Sequence, residues 1–378
     1  MAGNGALTKA KAAKYDEFYT QLSDIENELV HYTNDPDHQG TVAGNQFAGQ
    51  HVYCNCDDPE WSNFYRYFVM NFHRLGLASL TTTHYDADKS TYKIEVNSAD
   101  DAAYAMNAYE ANEPLGSLHL ATKLHGNGDF RNAESIELLE RSDIVVTNPP
   151  FSLFREYIRQ LVDYEKRFIV IGNMNAITYK EIFALIKANR IWLGKQSESK
   201  TMLFGVKPEY GQWLLDNKRE ETAYRIIDGV VMAKLRNACW FTNLTTDKRT
   251  DMPIPYQTYA EGLAKGMYPK YDNYDAIEVS RVADIPSDYD GVMGVPITFL
   301  YKWAPNTPIN DIIEPRAESR EPRAYEIVGQ SRMLAGNIGA QTSFTDTNGY
   351  RRQFADRFVL PCGETFKQVY DRIAIRRV

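Results

Sequence analysis

The stretch Asp143-Ile144-Val145-Val146-Thr147-Asn148-Pro149-Pro150-Phe151 decides how this chain is read. Ile144 to Val146 form a continuous apolar run, which suits a strand covered on both faces in a parallel sheet. Two prolines then fix the backbone, because each locks its own φ and restricts the residue before it. A helix-like run over 152–166 follows, so the loop belongs at the carboxyl edge of the sheet, where open α/β sheets bind their ligands. An amino group conjugated to a ring or carbonyl is a poor nucleophile, since its lone pair is delocalised. The Asn148 side-chain oxygen and the Pro149 carbonyl could accept both amino hydrogens and favour a tetrahedral nitrogen with a localised lone pair. Phe151 adds an apolar face on which a flat base could stack. The loop therefore points to methyl transfer onto an amide-like nitrogen such as N6 of adenine.

The flanking segments predict the rest of the sheet. Residues 51–56 read as a short strand ending in Asp57-Asp58-Pro59, and 78–84 as a strand ending near Asp86. A hairpin strand or insertion is expected over 92–96 and a helix over 99–111. A strand over 118–124 then leads into Gly126-Asn127-Gly128-Asp129-Phe130, followed by a short helix over 134–140. Residues 168–172 form a further buried strand with Asn173 and Asn175 beyond its end. Phe18, Leu22, Ile25 and Leu29 recur at spacings of three and four, predicting an amphipathic helix over 14–32. Trp61, Phe64, Phe68 and Phe72 predict a helix over 60–75 whose rings pack in the core. Strands alternating with helices predict the α/β class and a doubly wound sheet. Beyond 196 the candidates are shorter strands, at 230–235, 238–243 and 297–303. Some are expected to complete the parallel sheet, and the rest to form a smaller, irregular recognition region.

Composition narrows the class. The chain has 378 residues and a net charge of −8, so non-specific adhesion to nucleic acid is disfavoured while a local basic cleft is not. Cations lean towards 187–236 and the tail, where Arg351, Arg352, Arg357, Lys367, Arg372, Arg376 and Arg377 outnumber nearby acids. No apolar run is long enough to span a bilayer, and the polar start lacks a signal-peptide block, so a cytoplasmic location with no membrane partner is expected. Cys54, Cys56, Cys239 and Cys362 make no paired metal pattern and read as reduced thiols, with no metal expected.

Methyl transfer needs a donor, and S-adenosylmethionine suits a doubly wound sheet. Asp57 could hold its amino acid end and Asp86 its ribose hydroxyls. Asp129 could accept from its adenine amine while Phe130 covers the ring.

Asp-Glu-Phe-Tyr-Thr at 16–20, Cys-Asn-Cys-Asp-Asp-Pro at 54–59, Gly-Asp-Phe at 128–130, Asn-Pro-Pro-Phe at 148–151, Gly-Asn-Met-Asn-Ala at 172–176 and Gly-Val-Met-Gly-Val-Pro-Ile-Thr-Phe-Leu at 291–300 together resemble the EcoRI-type adenine-specific DNA methyltransferase family. The resemblance runs from about 15 to the C-terminal Tyr-Asp-Arg-Ile-Ala-Ile at 370–375. It implies a class I methyltransferase fold, S-adenosylmethionine as donor, and N6 of a flipped adenine in double-stranded DNA as acceptor. It further implies cofactor contacts from Tyr19 and Thr20, from Cys54, Asn55, Cys56 and Asp57, and from Asp129 and Phe130, with Asn148, Pro149, Pro150 and Phe151 as the catalytic loop. A methyltransferase domain is expected over 15–245 after a disordered start at 1–14, and a target-recognition region with a C-terminal strand over 246–378. A monomer is expected, with a cognate restriction endonuclease in the same system. One feature departs from most amino-methyltransferases: residues 54–64 contain no glycine where a glycine-rich turn usually cradles the donor. Methylation of RNA adenine or of a protein glutamine amide, or a catalytically silent DNA-binding role on the same fold, stay open alternatives.

Overall fold

The computed structural model describes residues 18–33, 44–56, 58–86, 91–197, 201–249, 255–271, 274–301, 303 and the strand segments 325–335, 343–345, 351–353, 357–359 and 365–377. Asp57, Cys362 and the 1–14 segment lie outside the described residues. The chain divides into two compact units, Met1–Asp247 and Lys248–Val378.

In the first unit β1 (Tyr19–Thr20) leads into α1 (Leu22–Leu29), and β2 (His51–Cys54) is followed by α2 (Asn63–Met70) and α3 (Phe72–Leu75). Next come β3 (Ser79–Thr83), β4 (Tyr92–Val96), α4 (Ala99–Glu110), β5 (Ala121–Lys123) and α5 (Ala133–Arg141). The proline-ended strand is β6 (Ile144–Thr147), followed by α6 (Phe154–Asp163), β7 (Arg167–Asn173), α7 (Lys180–Lys187) and β8 (Trp192–Leu193). The unit closes with β9 (Met202–Gly205), α8 (Pro208–Asn217), β10 (Tyr224–Ile227), β11 (Val230–Leu235) and β12 (Ala238–Thr242).

Eight strands form one mixed sheet in the order β5-β4-β3-β2-β6-β7-β12-β8. The central strands β3, β2, β6 and β7 are mutually parallel, and every residue of β6 is buried, as its apolar run requires. From β2 the chain moves outward to β3 on one side, then returns to build β6 and β7 on the other. That reversal sets a switch point between β2 and β6, and open α/β sheets have their ligand crevice at the carboxyl ends of the strands at such a point. The expected insertion at 92–96 is present as β4, antiparallel between β3 and β5. The late strands depart from expectation: β12 enters the sheet antiparallel to β7, and β11 joins a separate antiparallel sheet of order β1-β9-β11-β10.

Two helices are shorter than their periodicity predicted. Tyr19 and Thr20 are drawn into pairing with Gly205 and Phe204, so the first helix starts at Leu22. The Ser62 hydroxyl accepts from the Phe64 and Tyr65 amides and caps α2, which leaves Trp61 outside the helix and 48% exposed. Phe64, Phe68 and Phe72 are buried as expected, but the Trp61 expectation is corrected.

In the second unit β13 (Ala276–Glu278) pairs in parallel with β14 (Val292–Val295). The long strand β15 (Tyr325–Ala335) pairs antiparallel with β19 (Thr365–Arg377), which also takes β14 and β18 (Arg357–Val359). A separate ladder joins β16 (Ser343–Thr345) to β17 (Arg351–Gln353). The expected strand at 297–303 is instead a 3-10 turn over Ile297–Tyr301, started by the Phe299 amide donating to the Pro296 carbonyl at 2.8 Å. Pro296 has the φ that begins such a turn, and the apolar side chains of Phe299, Leu300 and Tyr301 are buried from it. The Glu278 carboxylate, 3% exposed at its side chain, meets Arg372 at 2.5 Å and accepts from the Tyr271 hydroxyl.

Candidate active site

Threonine hydroxyls tie together the strand ends that border the crevice. Thr147, closing β6, accepts from the Cys56 amide at 3.2 Å, while Thr82 donates to the Cys54 carbonyl at 3.0 Å and Thr83 to the Asn55 carbonyl at 3.4 Å. Cys54 and Asn55 are buried and Cys56 is half-buried. Cys54, Cys56 and Cys239 form no disulfide, and among the described residues no His, Cys, Asp and Glu cluster is arranged to hold a metal.

The Asn-Pro-Pro-Phe loop leaves β6 into this crevice. Asn148 is 6% exposed, and its Nδ2 donates to the Phe18 carbonyl at 2.5 Å. That bond fixes the amide's orientation. Its Oδ1 faces the other way, buried and with no partner. Pro149 is buried and Pro150 half-buried, and the Pro150 carbonyl accepts from the Leu153 amide at 2.9 Å to launch α6. The half-buried Phe151 ring lies 5.9 Å from Phe18, which itself packs edge-on against Phe204 and Tyr210. The small sheet containing β1 therefore positions the loop through one carbonyl and one ring.

Thr20 Oγ1 and Asn55 Nδ2, on residues 1% and 2% exposed, are likewise buried without partners. Thr20 follows Phe18, which holds Asn148, by two residues, and Asn55 precedes Cys56, whose amide Thr147 holds, so each is tied to the loop through a bonded neighbour. Buried polar groups are nearly always satisfied in folded proteins, which makes these atoms candidates for meeting a ligand. Asn55 Oδ1 accepts from the Tyr157 hydroxyl, and burial pushes that phenol's pKa well up, so it remains a donor. The Thr20 carbonyl accepts from Asn63 Nδ2 at 2.7 Å, and Tyr19 stacks on Trp61 at 6.0 Å.

The 126–130 segment, expected to wall the donor's adenine through Asp129 and Phe130, is joined to the end of β3. The Asp86 amide donates to the Asn127 carbonyl at 3.1 Å, and Gly128, at φ +79°, lies so close to the His84 carbonyl that a Cβ would overlap it. Phe130 is 4% exposed and meets Tyr157 edge-on at 5.1 Å, which links this wall to Asn55. The Asp129 carboxylate accepts from Arg131 Nε at 2.8 Å and Nη2 at 2.6 Å, and this hydrogen bonding holds its pKa below the usual range.

Some residues that shape the site were not singled out from sequence. Tyr157 shares the buried face of α6 with Phe154, Ile158 and Leu161, and a hydroxyl on an otherwise apolar helix face was the available signal. The glycine-free turn is braced twice from β3 and β4. Asp58 lies 3.4 Å from His84 Nε2, its carboxyl pushed up by burial, and the Tyr92 hydroxyl donates to Glu60 at 2.9 Å. The His84 and Tyr92 rings stack at 4.9 Å, making the two braces one unit.

The family model for "Adenine-specific methyltransferase EcoRI" matches residues 6–377. Type II methyltransferase M.EcoRI of Escherichia coli is 44% identical, covering 80% of this chain and 87% of that protein. Type II methyltransferase M.MgeORF184P of Mycoplasma genitalium is 36% identical, covering 79% of this chain and 83% of the relative. M.MpnI of Mycoplasma pneumoniae, also a Type II methyltransferase, is 37% identical over 79% of this chain and 82% of its own length. With a match from end to end and relatives aligned over most of both partners, the chain belongs to the EcoRI adenine-specific methyltransferase family.

Proposed function

We propose that this protein transfers a methyl group from S-adenosylmethionine to N6 of a flipped adenine in duplex DNA, on a class I methyltransferase sheet formed by residues 15–245. Residues 246–378 would contribute target recognition, and the Type II names of its relatives suggest a restriction endonuclease in the same system. The observation that carries the reading is the buried, unpartnered Oδ1 of Asn148, held in orientation by its own Nδ2. An acceptor fixed before the substrate arrives costs no reorganisation when the amino nitrogen becomes tetrahedral, and such preorganised contacts are worth about 3 kcal/mol in the transition state.

The residues present fit the donor. Thr20 Oγ1 and Asn55 Nδ2 supply unused polar atoms, and Phe130 supplies an aromatic wall, so these residues with Tyr19 would hold it. When bound, S-adenosylmethionine supplies an electrophilic methyl group. Phe151 would stack the extruded base, which recovers about 1–3 kcal/mol against an unstacking cost of a few. Asn148 and the Pro149 carbonyl would hold the two amino hydrogens, and no strong base is required beforehand because alkylation acidifies the nitrogen. Incubation with labelled S-adenosylmethionine and unmethylated DNA, followed by nucleoside analysis, tests the reading. Label in RNA or glutamine, or in any DNA product other than N6-methyladenine, refutes it.

A further inference from the structure

We propose that the β10–β11 hairpin is a wedge whose apolar tip enters the base stack beside the adenine being methylated; the inference rests on the function proposed above. Ile226 and Ile227 are each 42% exposed and Val230 is 58% exposed, three apolar side chains at the end of one hairpin. The tip is well defined. Ile227 pairs with Val230 across a two-residue turn in which Asp228 and Gly229 have φ of 49° and 80°. Both central residues at positive φ give the hairpin turn that matches strand twist, so the tip is presented rigidly.

Strand register places this tip relative to the candidate active site. Ala233 on β11 is level with Phe204 on β9, and Phe204 is level with Thr20 on β1. From that level β11 runs back to Val230 in the direction in which the chain before β1 runs back to Phe18, whose carbonyl holds Asn148. The hairpin therefore projects from the end of the sheet nearest the loop. With strands about 4.8 Å apart and a rise of about 3.3 Å per residue, Val230 lies roughly 10 Å from Phe18 and Ile227 roughly 15 Å. That separation is comparable with the width of the major groove, about 12 Å, so the tip stands within reach of the stack that an adenine extruded into the loop has left.

The chemistry of the tip favours bases over phosphates. Residues 226–230 contain no cation and one acid, Asp228, so the tip is not built to follow the backbone. The apolar surfaces a duplex offers are base-pair faces, and extrusion of the adenine uncovers two of them. Apolar side chains inserted at a step are a known means of offsetting unstacking.

The test uses the full chain with Ile226→Ser, Ile227→Ser and Val230→Ser combined, and Val230→Ser alone should the triple variant misfold. The probe is a duplex carrying the sequence that the wild type modifies, either fully paired or with an abasic residue opposite the target adenine. The expected result is a single-turnover rate down about tenfold or more on the paired duplex, restored to within about twofold of wild type on the abasic-opposed one. Melting temperature and S-adenosylmethionine affinity should be unchanged. Wild-type rates on both duplexes, or an equal loss on both, would overturn the wedge. Wild-type self-association in sedimentation that the variant abolishes would overturn it too, by making a second copy the occupant. A wild type that binds S-adenosylmethionine yet labels neither duplex refutes the DNA reading itself, an outcome separate from variant behaviour.

Discussion

Asn148→Ala removes one side chain and probes two separable quantities. On the stability side, the Phe18 carbonyl loses its 2.5 Å donor, which costs about 1–3 kcal/mol in a buried setting. The same substitution deletes Oδ1, a buried acceptor with no partner, and relieves a penalty of similar size. The two terms oppose each other. A net change of about 1 kcal/mol follows, or a fall of roughly 2–4 °C in melting temperature for a unit of this size. On the proposed function nothing offsets the loss on the catalytic side, because the acceptor would matter chiefly once the amino nitrogen becomes tetrahedral. Losing one preorganised contact of this kind costs about 2.7–4 kcal/mol, or roughly a hundred- to a thousandfold in kcat. Calorimetry with S-adenosylmethionine should give a dissociation constant within about threefold of wild type, while single-turnover transfer of label to DNA falls by at least two decades. Asn148→Asp separates donor from acceptor: the carboxylate keeps oxygens for the substrate but cannot donate to Phe18 while ionised. A melting temperature lower than that of the alanine variant is expected. Transfer by Asn148→Ala at more than a third of the wild-type rate would refute the reasoning, since the oriented oxygen would then have no role in the transition state.

Arg131→Ala should remove the support that lowers the Asp129 pKa. A depressed carboxyl contributes stability that is present above its unfolded value and lost as pH falls through its folded value. Urea midpoints of wild type and variant should therefore differ at neutral pH and converge below the carboxylate range, the difference being about 0.5–1 kcal/mol because the Arg131 side chain is 46% exposed. A difference that persists undiminished in acid would show that the pair is not its source. Gly128→Ala places a Cβ against the His84 carbonyl at φ +79° and should destabilise by about 2 kcal/mol or more, with a raised KM for S-adenosylmethionine. An unchanged melting temperature would mean that the 126–130 loop is not seated on β3 as described. Tyr157→Phe strips Asn55 Oδ1 of its donor and should cost about 1–3 kcal/mol in chemical denaturation. Asn55→Ala in that background should then be close to neutral, and full additivity of the two changes would break the inferred coupling.

Much of the central sheet was legible because its signals are local. An apolar run that ends in Asn148-Pro149-Pro150 can be little else than a covered strand feeding a loop, and β6 is buried at every position. The antiparallel strands were harder. β12 resembles a parallel core strand in composition, with Ala238 to Thr242 all buried, and only its pairing partner β7 sets its direction. Helix ends failed where tertiary pairing competed with periodicity. Phe18 fits the apolar spacing of α1, yet the pairing of Tyr19 and Thr20 with β9 holds the chain extended there. At the candidate site the Asn148–Phe151 loop, Thr20 and Asn55 were named from sequence and resemblance, but the bonds that orient them, from Phe18 and Tyr157, were not. The Asn148-to-Phe18 bond joins positions 130 residues apart, and no spacing rule announces a contact of that range.

The absence of glycine after β2 changes which groups are free to meet a ligand. A glycine-rich turn lets a helix N-terminus bring bare amides close to a charged group. Here several of those amides are already engaged. The Trp61 and Ser62 amides donate to the Asp58 carbonyl at 2.9 Å and 2.7 Å, the Glu60 amide to Asp58 Oδ1 at 3.0 Å, and the Phe64 and Tyr65 amides to the Ser62 hydroxyl. What the crevice leaves unsatisfied sits on side chains instead: Thr20 from the small sheet, Asn55 from the end of β2 and Asn148 from the end of β6. Two of these three depend on other elements for their orientation, Asn55 on Tyr157 and Asn148 on Phe18. Recognition built this way is distributed over β1, β2, β6 and α6, so a ligand in the crevice would couple the small sheet to the large one. On the proposed function, that coupling ties the wedge-bearing hairpin to the loop that holds the target amine.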